Sequence, residues 1–150
     1  MKKLSVKNWV AVSILLFTSS AFAQQASPVG LWKNIDDNSG KPKALIRITE
    51  SNGELSGKIE KLFQEPGELP NPKCDKCDGP LKNQPIIGLT ILSGMKRDGD
   101  DYEGGKILDP ANGKVYSSKL ALIDSGKKLK VRGYIGVPFI GRTQTWIREE

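Results

Sequence analysis

Turn signals recur along this chain at intervals of about ten residues, and they leave room only for short strands. Asn52-Gly53, Asp98-Gly99 and Asn112-Gly113 are pairs that tolerate the positive φ angles of tight hairpin turns. Between such turns the residues alternate, so that Ala44, Ile46 and Ile48 share one face of a predicted strand. No segment after residue 23 sustains a 3.6-residue apolar period, so amphipathic helices are not predicted.

About eight strands follow from this pattern. They are residues 30–35, 43–50, 55–63, 86–95, 102–108, 114–123, 128–135 and 142–148. Consecutive strands joined by tight turns predict an up-and-down antiparallel sheet, and closing it into a single β-barrel leaves no unpaired edge. We therefore predict an all-β fold, with the proline-rich residues 64–85 as a loop or cap outside the sheet, because proline cannot donate to a ladder.

The first 23 residues have the layout of a secretory signal peptide. A positively charged start and the apolar residues 9–17 precede Ala21-Phe22-Ala23, a small-residue cleavage signal. The apolar run is too short to span a bilayer comfortably. We expect cleavage near Ala23, a periplasmic or secreted protein, and one barrel domain over residues 24–150.

Composition narrows the classes of function. The chain has no histidine, which removes the commonest general base and metal ligand, and no Gly-x-Ser-x-Gly or Ser-x-x-Lys motif. We predict no catalytic residues, no cofactor and no metal. The net charge is +6, but Lys2, Lys3 and Lys7 leave only +3 for residues 24–150. Neither nucleic-acid binding nor a transmembrane segment is predicted, and a monomer is expected.

Cys74 and Cys77 are the two cysteines of the chain, and their spacing allows three interpretations. A structural disulfide suits an oxidising compartment and is favoured. A redox-active pair shares the Cys-x-x-Cys spacing but lacks a helix after the first cysteine. A zinc site needs about four ligands, which the cysteines alone do not supply.

Two other groups of polar residues carry alternative interpretations. The acidic turns at residues 36–38 and 98–103 have oxygens for calcium, but ordinary turn chemistry explains them without an ion. Lys106 and Lys119 lie near the middle of predicted strands. They are expected to point outward into water, and the alternative is that one of them pairs with an anionic group inside the barrel.

Several motifs resemble known families. Gly30-Leu31-Trp32 resembles the Gly-x-Trp motif of lipocalins and other calycins. The resemblance implies that an arginine from the last strand packs over the tryptophan. Arg142 and Arg148 are the candidates for this arginine, and Arg142 is preferred. More of the chain resembles the exported bacterial family known as domain of unknown function 2147. The matching stretches are 30–32, 40–42, 57–59, 74–77, 84–88, 104–110, 112–114, 129–134 and 141–146. The resemblance implies a lipocalin-like barrel in the cell envelope and carries over no catalytic residue.

Two functions are consistent with such a barrel. In the first, an exported protein binds a small apolar or amphipathic molecule, for example a lipid, with residues 64–85 as a lid or rim. Strand alternation selects its wall residues as Ile46, Ile48, Leu89, Ile91, Leu129 and Val131. In the second, the barrel is packed solid and serves as a ligand-free interaction module of the envelope. The volume of the interior distinguishes the two.

Overall fold

A computed structural model describes residues 26–150, so the predicted signal peptide lies outside the described residues. Eight antiparallel strands form one closed barrel in chain order, and β8 returns to pair with β1. They are β1 (Gly30–Ile35), β2 (Pro42–Ser51), β3 (Glu54–Leu62), β4 (Thr90–Asp98), β5 (Asp101–Asp109), β6 (Lys114–Ile123), β7 (Lys128–Tyr134) and β8 (Gly141–Arg148). The predicted fold class and up-and-down order are confirmed.

The sharpest hairpin forms where the sequence signal is strongest. Asn52 and Gly53 connect β2 to β3 with φ angles of 52° and 77°. Two successive residues with positive φ give a turn whose twist matches that of the flanking strands. The β2–β3 register is thereby set, and it continues from Ser51 opposite Glu54 up to Ile46 opposite Ile59.

The fourth strand begins later than predicted. The sequence indicated a strand over residues 86–95, but β4 starts at Thr90. Gly88 has a φ of 95°, and its N–H donates to the carbonyl of Ile59 while the N–H of Ile59 bonds Leu89. Residues 86–89 are therefore the last part of the long β3–β4 loop, which bonds the end of β3 before the regular ladder starts.

The two ends of the barrel differ. One end, here called the closed end, carries the start of β1, the tight turns after β2 and β4, the short turn after β6 and the C-terminus. The opposite open end carries the β1–β2, β3–β4, β5–β6 and β7–β8 loops, at residues 36–41, 63–89, 110–113 and 135–140. Large loops are thus concentrated at one end.

The packed core fills the closed half of the barrel. Its fully buried side chains are Trp32, Ile48, Leu55, Leu92, Met95, Leu120 and Leu129. Except for Leu92, the third residue of β4, they lie at the middle of their strands or nearer the closed end. These large side chains are packed together, whereas the side chains in the open half of the barrel surround an unfilled space.

Candidate functional site

A cavity of ≈ 750 Å³ occupies the open half of the barrel. That volume lies within the range of about 300–1,000 Å³ that is typical of small-molecule sites. Its walls are mainly aliphatic, with side chains from five strands: Ala44, Ile46, Ile59, Leu62, Ile91, Ile107, Leu108 and Val131. Trp146 is buried beside them and lies deepest along β8 among the lining residues.

Three of the six predicted wall residues line this cavity. They are Ile46, Ile91 and Val131. Ile46 and Ile91 lie at inward positions in the half of the strand nearer the open end, and Val131 lies inward at the middle of β7, so alternation identified the correct face.

The other three predicted wall residues do not line the cavity. Ile48 and Leu129 face inward, but they belong to the packed core of the closed half. Leu89 is buried in the loop before β4 rather than within a strand. Alternation predicts which face a side chain occupies and carries no information about its depth in the barrel.

The mouth of the cavity is polar and charged. Asp36, Lys43, Asp109 and Arg142 line it together with Asn112 and Tyr116. Both acidic residues also stabilise their own turns. The Asp36 carboxylate accepts hydrogen bonds from the N–H groups of Asn38 and Ser39 and from the Ser39 hydroxyl. The hydrogen bonds from Ser39 are the main reason that the pKa of Asp36 is lowered. Asp109 accepts from the N–H of Ala111 and from Asn112.

A polar ladder crosses one wall between β1 and β8. The Gln144 side-chain oxygen accepts from Asn34 Nδ2 at 3.0 Å and from Trp146 Nε1 at 3.3 Å. Gln144 Nε2 donates to Asp37 Oδ2 at 3.3 Å, and Asp37 pairs with Arg142 at 2.5 Å. Sequence reasoning missed this ladder. Its signal was present, because Asn34 shares strand parity with Trp32, and Gln144 with Trp146.

At the closed end, Arg148 packs on Trp32. The guanidinium carbon lies 4.2 Å from the ring centroid, which is within cation–π range. Arg148 also donates to the carbonyls of Ser27, Val29 and Gly126, and its partial burial lowers its pKa. The Trp32 indole N–H donates to Pro28 O at 2.7 Å.

The preference for Arg142 over Arg148 was wrong. Arg142 is exposed at the open end, where it pairs with Asp37. Because β1 and β8 close the barrel in antiparallel fashion, the start of β1 lies beside the end of β8, with Trp32 opposite Arg148. Arg142 shares the parity of Arg148 but lies six residues away along the strand, a rise of about 20 Å.

The glycine of the Gly-x-Trp motif has a packing reason. Gly30 has a φ of 139°, and a Cβ there would lie 2.8 Å from a guanidinium nitrogen of Arg148 and 2.7 Å from Glu150 O. The chain needs a residue without a side chain at this position so that Arg148 can reach past it to Trp32.

Cys74 and Cys77 form the predicted disulfide, and both are fully buried. Their sulfurs bond one another, so they are not thiolate ligands for zinc. The segment around them docks on the β5–β6 turn. Lys76 Nζ donates to Ala111 O at 3.1 Å, and any Cβ on Gly113 would collide with the Lys76 carbonyl.

The β3–β4 loop reaches the cavity as the sequence suggested for a lid or rim. Gln64 and Pro72 from residues 64–85 line the mouth, and Ile86 follows. Pro72 O accepts from the N–H of Ile86 at 2.9 Å, which fixes the two sides of the loop together over the opening.

The mid-strand lysines lie outside the cavity. Lys119 Nζ is 3.0 Å from Asp101 Oδ2 and 3.1 Å from Glu103 Oε1, and these hydrogen bonds raise the pKa of Lys119. Lys106 Nζ donates to Ser117 Oγ. Lys106 and Lys119 therefore both point outward, as predicted from the sequence. Within residues 26–150, no group of three or more acidic or cysteine side chains is arranged to hold a metal ion.

Fold and cavity together define a lipocalin-like barrel. The chain belongs to the family described as "Uncharacterized protein conserved in bacteria (DUF2147)", which matches residues 30–148. A solved structure described as "Protein HP1028 from the human pathogen Helicobacter pylori belongs to the lipocalin family" has a similar fold. The TM-score is 0.71 at 22% identity, over 83% of this chain and 84% of that chain. No curated protein matches the sequence.

Proposed function

We propose that this chain is an exported envelope protein that binds one small apolar or amphipathic molecule, such as a lipid, inside its barrel. The observation that carries the proposal is the ≈ 750 Å³ cavity with aliphatic walls and a polar mouth. A lipocalin-like barrel suits small-molecule binding in general. The alternative, a solid barrel acting as an interaction module, requires a filled interior, and the open half is not filled.

The distribution of polar groups favours an amphipathic ligand. Apolar side chains such as Ile46, Ile91 and Val131 surround the deeper part of the cavity, whereas Lys43 and Arg142 stand at the mouth. An apolar chain would enter first and lose its contact with water, and a polar head group would remain near the charged rim.

Binding without catalysis is part of the same proposal. The carboxylates at the mouth, Asp36 and Asp109, accept hydrogen bonds from their own turns. Lys43 and Arg142 are exposed. A general acid or base needs a reacting group within hydrogen-bond reach and a matched pKa, and buried titratable groups supply that more readily than solvated ones.

Export and the monomeric state are also proposed. The leader-like residues 1–23 and the Cys74–Cys77 disulfide both suit an oxidising compartment outside the cytoplasm. In the closed barrel each strand has a neighbour on both sides, which disfavours strand pairing with a second copy. Among residues 26–150, no helix is long and apolar enough to cross a membrane.

Native mass spectrometry of the protein recovered from the exported fraction of its own cells tests this proposal. We expect a chain that starts near Gln24 and carries one bound small molecule. Replacing Ala44 on the cavity wall by Phe should reduce the bound fraction, since the larger side chain occupies the binding volume. The control is Leu45→Phe, on the outward face of the same strand. Equal occupancy of the two variants would argue against a ligand in the barrel.

A further inference from the structure

The polar ladder between β1 and β8 leaves one acceptor unused on the cavity wall. Asn34 lines the cavity and is only 7% exposed. Its Nδ2 donates to Gln144 Oε1 at 3.0 Å, and within residues 26–150 no group donates to its Oδ1. Buried polar side chains nearly always have partners for their polar atoms, so this oxygen requires an explanation.

The neighbours of the two amides determine which atom of Asn34 is unused. The Trp146 indole N–H can only donate, so the Gln144 atom that faces it is Oε1. The ionised Asp37 carboxylate can only accept, so Gln144 presents Nε2 to it. Asn34 must then offer its Nδ2 to Gln144 Oε1. The remaining polar atom of Asn34 is therefore an oxygen, which accepts hydrogen bonds and cannot donate them.

This oxygen is open to the cavity. Among residues 26–150, Ser118 Oγ is the one fully enclosed side-chain polar atom without a partner. Asn34 Oδ1 also lacks a partner, so it retains access to open space, and the space that Asn34 borders is the cavity. The Asp37 carboxylate strengthens the acceptor, because hydrogen bonds that run in a chain through Gln144 to Asn34 polarise one another.

The depth of Asn34 specifies which part of a ligand would meet it. Along β8, its partner Gln144 is two residues deeper than Arg142 at the mouth and two residues shallower than Trp146. Two residues of a strand span about 7 Å. Asn34 pairs with Ala44, above the deeper aliphatic walls. A group bonded to Asn34 Oδ1 thus lies where the apolar chain of a bound amphiphile joins its head group.

We propose that the cavity selects amphiphiles that carry a neutral hydrogen-bond donor, an amide N–H or a hydroxyl, where the apolar chain joins the head group. The donor bonds Asn34 Oδ1. An ester linkage or an ionised carboxylate has acceptors only and would place oxygen against oxygen at this point. The unpaired acceptor would then lower affinity, because the ligand has displaced water from it. The inference rests on the proposed function, since it specifies the ligand of the same cavity.

Displacement of Nile red, an apolar dye without N–H or O–H groups, tests the selectivity on the full protein. N-methyldodecanamide and N,N-dimethyldodecanamide differ by one N–H, and dodecanol and its methyl ether differ by one O–H. The measured quantity is the ratio of dissociation constants within each pair, compared between wild type and Asn34→Leu. This comparison cancels the difference in hydrophobicity within a pair. In at least one pair, the wild type should favour the donor about tenfold more than Asn34→Leu does.

The substitution leaves the rest of the ladder satisfied. Gln144 Oε1 keeps the Trp146 indole as its donor, and Nε2 keeps Asp37 as its acceptor. Leucine has a volume similar to that of asparagine, and binding of Nile red by Asn34→Leu shows that the variant is folded. Asn34→Ala, which removes the amide without adding bulk, is the second variant if Asn34→Leu does not fold.

Tyr116→Phe serves as the comparison on another wall, since its hydroxyl also lines the cavity. Loss of the preference in Tyr116→Phe together with its retention in Asn34→Leu would overturn the proposal. Unchanged ratios in both pairs for Asn34→Leu would also overturn it, and they would mean that Asn34 Oδ1 bonds only water. Nile red binding by the wild type without any preference for a donor refutes this inference alone, whereas absence of Nile red binding refutes the proposed function itself.

Discussion

Arg148 covers the face of Trp32 with its guanidinium carbon 4.2 Å from the ring centroid, at the point where the first and last strands close the barrel. The arginine ties three segments together, because it also bonds carbonyls of residues 27 and 29 and of Gly126 in the β6–β7 turn. The contact therefore holds residues 27–29 and the end of β8 to the floor of the barrel, away from the cavity.

Replacing Arg148 by Met should destabilise the fold. The cation–π contact contributes about 0.5–2 kcal/mol, and the carbonyls left without a donor cost about 1–3 kcal/mol more. Urea unfolding followed by tryptophan fluorescence measures the loss. Arg142→Met is the matched control, and its surface ion pair with Asp37 is expected to be worth about 0–1 kcal/mol. Equal losses in the two variants would contradict the assigned role of Arg148.

Replacing both Cys74 and Cys77 by Ser should leave the fold intact and lower its stability by about 2 kcal/mol, since the disulfide closes a very short loop. Unfolding in urea gives the change, and thiol titration of the denatured, unreduced wild type should detect almost no free thiol. Two free thiols per chain in the exported protein would refute the pairing.

Replacing Gln144 by Leu should destabilise the protein by about 1–3 kcal/mol, because Asn34 and the Trp146 indole lose a shared acceptor. Thr145→Val, on the outward face of the same strand, is the control and should change little. Thermal unfolding compares the two. A stable Gln144→Leu variant would mean that the ladder is not a significant structural element.

Asp36 should contribute to stability in a pH-dependent way. Hydrogen bonds from Ser39 lower its pKa below 3.8 in the folded state, so its contribution is present above that pH. The contribution is lost as the pH falls through the folded pKa. The difference in unfolding free energy between wild type and Asp36→Ala should therefore be full near neutrality and shrink under strong acid. A difference that grows on acidification would contradict this sign.

The sequence was sufficient for the barrel because each hairpin signal is local. Asn52-Gly53 determines its own turn and register without help from the rest of the chain. The depth of an inward side chain along the barrel axis, and the contacts between strands distant in sequence, were harder to predict. Ile48 and Val131 look alike in an alternating pattern, yet one is in the packed core and the other lines the cavity. The Arg148 contact follows from antiparallel closure rather than from parity, which Arg142 satisfies equally.

In the long β3–β4 loop, too, local structure was predictable from the sequence and contacts with distant segments were not. Its prolines predicted irregular structure correctly, whereas the docking of Lys76 on the β5–β6 turn depends on a contact between segments about 35 residues apart. The polar ladder of Asn34 and Gln144 also joins distant strands, and only their shared register brings the two amides together.

The most direct test of a ligand-binding barrel is an equilibrium titration with an environment-sensitive apolar dye, followed by displacement with fatty acids. We predict saturable binding of one dye per chain, displacement by the fatty acid, weaker binding by Ala44→Phe and unchanged binding by Leu45→Phe. Absence of saturable binding, or equal affinity in the two variants, would contradict the account and favour a ligand-free interaction module.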